Sequence, residues 1–83
     1  MEKSDLLKPE DKVIITVYGP DNTILYKFNG EGFHNLEGAI DRAISEANLN
    51  ISPEDCVFEV TNMQRDVTHK YRLNAHGHIK LIL

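Results

Sequence analysis

Residues 36–47, LEGAIDRAISEA, place apolar side chains at Leu36, Ile40, Ala43, Ile44 and Ala47 and polar ones at Glu37, Asp41, Arg42, Ser45 and Glu46. This spacing follows the helical turn and predicts an amphipathic helix with a single face to bury. On either side of it the pattern shifts to the two-residue period of strands. Residues 12–18, KVIITVY, are rich in β-branched side chains and read as a first strand. Residues 24–28, ILYKF, read as a second, across the loop Gly19-Pro20-Asp21-Asn22-Thr23. Three more follow at 56–61 (CVFEVT), 67–73 (VTHKYRL) and 78–83 (HIKLIL), parted by turns at 62–66 and at Asn74-Ala75-His76-Gly77. Strands joined by such short loops are expected to pair antiparallel.

The punctuation agrees with these elements. Asn29-Gly30-Glu31-Gly32 turns the chain toward the helix, and Asn35 is the expected N-cap, with His34 as a competitor. Gly38 in the first turn costs roughly 1 kcal/mol relative to alanine. Its expected return is close approach of the helix to the sheet. Asn48 suits a left-handed C-cap. Ser52-Pro53-Glu54-Asp55 combines a cap residue, a proline at the first helical position and acids behind it, which predicts one isolated helical turn.

The order β-β-α-β-β-β predicts an α+β fold, with one helix packed on a mostly antiparallel sheet. In element order alone it resembles the ubiquitin-like β-grasp arrangement. The chain runs out in Ile79-Lys80-Leu81-Ile82-Leu83 rather than in a glycine pair. The resemblance therefore carries no functional residue across. Residues 1–11, with turn chemistry at Lys8-Pro9-Glu10-Asp11, are expected to form a flexible leader, and residues 12–83 the single α+β domain.

Alternation also assigns faces. Val13, Ile15 and Val17, then Cys56, Phe58 and Val60, then Val67, His69, Tyr71 and Leu73, then Ile79, Leu81 and Leu83 suit the helix side. In the second strand Ile24, Tyr26 and Phe28 oppose Leu25 and Lys27. One helix cannot cover both sides of a sheet. The outer side then carries Ile14, Tyr18, Leu25, Lys27, Val57, Lys70, Arg72, Lys80 and Ile82. These nine form the candidate binding surface if they are contiguous. If they are scattered singly they need no explanation.

Length bounds the answer. A chain of 83 residues is one domain, burying only about 60–65% of its unfolded surface. A single cysteine excludes an internal disulfide and fits a reducing compartment. The charged first twelve residues do not read as a signal peptide or anchor, and no stretch is long and apolar enough to span a bilayer, so a cytoplasmic protein is expected. The net charge is −4, yet beyond Asp55 the only acids are Glu59 and Asp66, against Arg65, Lys70, Arg72 and Lys80.

Little in the sequence points to catalysis. Cys56 shares a face with Phe58 and Val60 and has Asp55 beside it, which predicts a buried, inert thiol rather than a nucleophile. His76-Gly77-His78, with His69 on the preceding strand, would hold a metal only if the three imidazoles converged, and a polar turn is the simpler reading. Gly30-Glu31-Gly32 lies between a strand and a helix as a phosphate loop would. Asn35 stands where a third glycine belongs, and Glu31 would repel phosphate. No serine lies in a nucleophile elbow. The expectation is a non-enzymatic chain without cofactor, metal or small-molecule ligand.

Three functional readings remain. The first is a protein-interaction module, working through the outer sheet face or the last strand, as a homodimer or with another protein. The second is a single-stranded nucleic-acid binder, with Lys27, Lys70, Arg72 and Lys80 on phosphate and Tyr18 stacking on bases. The third is a small acidic inhibitor or immunity-type protein that presents Glu37, Asp41 and Glu46. The first is preferred.

Overall fold

The β-branched run and the alternating segments form the strands that their periods predict. The structure, a computed structural model, describes Lys8 and residues 10–82. Strand β1 is Val13–Tyr18 and β2 is Ile24–Gly30; helix α1 is Leu36–Ala47. A 3₁₀ turn at Pro53–Asp55 precedes β3 (Val57–Asn62), β4 (Val67–Leu73) and β5 (Ile79–Ile82). The strands make one sheet in the order β2-β1-β3-β4-β5, and every pairing is antiparallel. The chain is therefore the expected single α+β domain, sharing with the β-grasp its element order. The helix leads from the β1–β2 hairpin to β3, which lies beside β1. Most of the leader expected over residues 1–11 lies outside the described residues. Its last residue, Asp11, is buried.

The helix starts and stops where its caps dictate. Asn35 is extended, and its side-chain oxygen accepts from the Gly38 N–H at 2.7 Å. Asn48 closes the other end in the left-handed region, at φ 51°. Leu36, Ala39, Ile40 and Ala43 form the buried stripe. Gly38 does not serve close approach to the sheet. It is exposed, and a side chain there would meet only the Asn35 Oδ1, at 3.3 Å. In this helix the residues with no exposed surface are the alanines, Ala39 and Ala43.

Val13, Ile15, Val17, Phe28, Phe58, Val60 and Tyr71 meet the helix stripe in one core, with Cys56. The lid is smaller than the sheet. Helix α1 packs over β2 and β1, while the 3₁₀ turn packs against β4. A helix is about 10 Å across and five strands span about 19 Å, so one helix cannot reach the far edge. Val67 and Leu81, assigned by alternation to the helix side, are each 40% exposed for this reason.

Gly30 marks where the sheet meets the helix approach. A Cβ there would lie 2.8 Å from Phe28 and from Phe33, whose rings pack with centroids 5.9 Å apart. Gly30→Ala is expected to lose about 1–3 kcal/mol by overpacking, measured as a lower urea midpoint. An unchanged midpoint would mean that the two rings move aside freely.

Candidate functional site

The outer face is polar at its centre. Thr16 is buried there, with Lys27 opposite on β2 and Glu59 opposite on β3. The Tyr18 hydroxyl donates to the Glu59 carboxylate at 3.2 Å. Lys70, opposite Glu59 on β4, holds its ammonium 5.9 Å from the centre of the Tyr18 ring. Burial raises the Tyr18 hydroxyl pKa above its ordinary value, and the adjacent Glu59 adds to the rise. A little further along, the Thr61 and Thr68 hydroxyls share a bond at 2.9 Å. Cross-strand polar pairs of this kind tie the three central strands together.

This network settles where the sequence-predicted surface residues stand. Tyr18, Lys70 and their partner Glu59 come together. Tyr18 is half-buried, its hydroxyl is engaged by an acid and a cation sits near its ring, so it is a poor stacking platform for a base. Ile14 and Val57 are half-buried at different ends of neighbouring strands. Leu25 (42% exposed) and Ile82 (38%) lie on opposite edge strands, four inter-strand spacings or about 19 Å apart. Ile14, Leu25 and Ile82 therefore do not share one patch, while Val57 lies beside Tyr18 at one end of the face.

The edge tells a different story. Among the described residues strand β5 pairs with β4 alone, and its other side is open. The Asn74 N–H donates to the His78 carbonyl at 2.9 Å, so these two are a hydrogen-bonded pair. Hydrogen-bonded and non-hydrogen-bonded pairs alternate along an antiparallel ladder. Arg72–Lys80 and Lys70–Ile82 then bond across the ladder, and Ile79 and Leu81 direct their N–H and C=O groups away from β4. On the same strand Leu81 is exposed on the inner face and Ile82 on the outer. Alternation in the sequence could have shown that both faces of HIKLIL carry apolar residues. Only the strand order shows that, among the described residues, its outer flank is free. The other edge, β2, is flanked by the helix side chains Arg42 and Glu46, which pair at 3.1 Å beside a depression lined by Tyr26 and Phe28.

The remaining candidates are dispersed. Among the described residues no three histidines, cysteines or carboxylates are grouped to hold a metal. His69 tilts against Tyr71 with ring centroids 6.2 Å apart, while the His76 and His78 rings lie at the β4–β5 turn, also 6.2 Å apart and tilted by 41°. Compared with protein-family models, with curated proteins and with solved structures, the chain matches none. Among the described residues no helix is long and apolar enough to cross a membrane.

Cys56 is fully buried, and its Sγ donates to the Ser52 carbonyl at 3.8 Å. Burial pushes its pKa up, and Asp55 pushes the same way. The native protein is therefore expected to leave a thiol reagent unreacted until urea unfolds it, at which point one equivalent is consumed. Rapid labelling without urea would mean that the 3₁₀ turn opens readily.

Proposed function

We propose that this chain is a non-enzymatic protein-interaction module that docks through the open edge of β5. One observation carries the reading. The β5 flank leaves the main-chain groups of Ile79 and Leu81 unpaired by β4, with Leu81 and Ile82 exposed on its two faces. A free edge offers main-chain hydrogen bonds for affinity and alternate side chains for selection, which is how strand addition binds a partner chain. The outer face itself is the weaker surface, because its apolar residues are separated by the Tyr18–Glu59–Lys70 network.

Two substitutions separate edge from face. Leu81→Pro removes an N–H that points away from β4, so it blocks the edge while sparing the ladder. Leu25→Glu places a charge at an exposed position on the opposite edge strand, β2. A tagged wild-type chain used as bait in its source cell is expected to retain a partner that Leu81→Pro loses and Leu25→Glu keeps. The reverse pattern would move the contact to the outer face and sink the edge reading.

A further inference from the structure

The β4–β5 hairpin is a basic rim on an acidic protein. From Val67 to Ile82 there is no aspartate or glutamate, in a chain whose net charge is −4. Lys70, Arg72 and Lys80 share the outer face of this hairpin, with Arg72 directly opposite Lys80. Like charges placed opposite each other across a ladder destabilise it, so the pair is poised to gain from an anion alongside. Among the described residues neither Arg72 nor Lys80 lies within ion-pair distance of a carboxylate. The carboxylate on the outer face of β3, Glu59, is two strands in and bound by Tyr18.

These charges also select among occupants of the edge. A second copy is unfavourable there, because pairing β5 with itself would bring the Lys80 side chains of both copies together, each already backed by Arg72 on β4. A lysine on an exposed edge strand is a common device against such pairing. A foreign strand with the opposite charge pattern meets no such penalty. The incoming side chains alternate between faces, as they do in any strand.

We infer that β5 accepts, as a sixth strand, an extended segment of another protein in which acidic residues alternate with apolar ones. The carboxylates lie against Lys80 on the outer face, with Arg72 one strand further in, and the apolar side chains lie beside Leu81 on the inner face. Main-chain groups of Ile79 and Leu81 supply the hydrogen bonds. This inference rests on the edge reading above and adds the chemistry of the partner.

The test uses three labelled peptides of about eight residues, the length of an ordinary strand. Glutamate alternates with valine in the first and lysine with valine in the second. The third has the composition of the first with a central proline. Fluorescence anisotropy with the full chain is expected to show binding of the glutamate peptide only. Raising salt from about 50 mM to about 300 mM should weaken it, since the attraction is between exposed charges. Lys80→Glu should weaken it about tenfold or more and let the lysine peptide bind instead. Leu81→Pro should abolish both. Lys80→Glu is a surface change, and circular dichroism of both variants checks that they remain folded. Equal binding of glutamate and lysine peptides, both lost in Leu81→Pro, would overturn the acidic chemistry and leave the edge reading standing. Binding of neither peptide would overturn the inference, while the Leu81→Pro and Leu25→Glu bait comparison judges the edge by itself.

Discussion

Phe58→Ala is expected to lower stability by about 3–5 kcal/mol, read as a large fall in urea midpoint at an unchanged slope. Phe58 is fully buried on β3, the central strand of the five. It lies opposite Val17 on one side and Tyr71 on the other, so it links the half of the sheet under the helix to the half under the 3₁₀ turn. Small domains hold about 0.05–0.15 kcal/mol of stability per residue, so a chain of 83 residues has on the order of 4–12 kcal/mol to lose. Removing this one ring therefore takes about a quarter or more of the total and leaves a void that a thin core cannot collapse around. Phe58→Leu, which keeps most of the volume, should cost clearly less. A loss under about 1 kcal/mol for the alanine variant would mean that the two halves of the core are separate clusters.

The helix was legible because its period is strong and its caps are local. Leu36–Ala47 follows directly from the spacing of Leu36, Ile40 and Ala43 with Asn35 before and Asn48 after. The five strands were legible in the same way, to within one or two residues at their ends. Which strand neighbours which was not. β1 and β3 are far apart in sequence, and nothing local in KVIITVY or CVFEVT says that they pair. That order places β5 at an edge among the described residues, and the edge is what the functional reading needs. Alternation put Leu81 and Val67 on the helix side correctly as a matter of geometry. It could not say how far a twelve-residue helix reaches, and so it missed that both remain exposed.

The outer face shows the same division. The sequence identified its members, because a two-residue period needs only one strand at a time. It did not reveal that Glu59 would take the Tyr18 hydroxyl or that Lys70 would sit over the ring, since both depend on cross-strand register. Those contacts convert a mixed apolar and basic surface into a polar network with single apolar residues around it. The basic rim, by contrast, was half visible. The shortage of acids beyond Asp55 is plain in the sequence. Its concentration beside an open backbone edge is a product of the fold.

Asn62→Ala is expected to be the most costly substitution of a polar residue, at about 1–3 kcal/mol, because Asn62 joins two distant parts of the chain. Its Nδ2 donates to the buried Asp11 carboxylate at 3.2 Å, and its Oδ1 accepts the N–H groups of Gln64 and Arg65 at 3.0 and 3.2 Å. The N–H of Lys8 also donates to Asp11, and the Arg65 guanidinium lies 3.8 Å from it. The backbone bond from Lys8 does most to hold the Asp11 carboxyl below its ordinary pKa, with Asn62 and Arg65 helping and burial opposing. A depressed carboxylate stabilises the fold above its unfolded pKa and loses that contribution as pH falls through the folded value. Asp11→Asn should therefore lie below wild type in stability near pH 6, and the gap should close as the pH is lowered past the ordinary value of 3.8. Urea midpoints at about pH 6 and about pH 3 measure it. A gap that stays constant between the two would show that Asp11 holds the turn through shape rather than charge, and Asn62→Ala would then owe its cost to the Gln64 and Arg65 N–H groups alone.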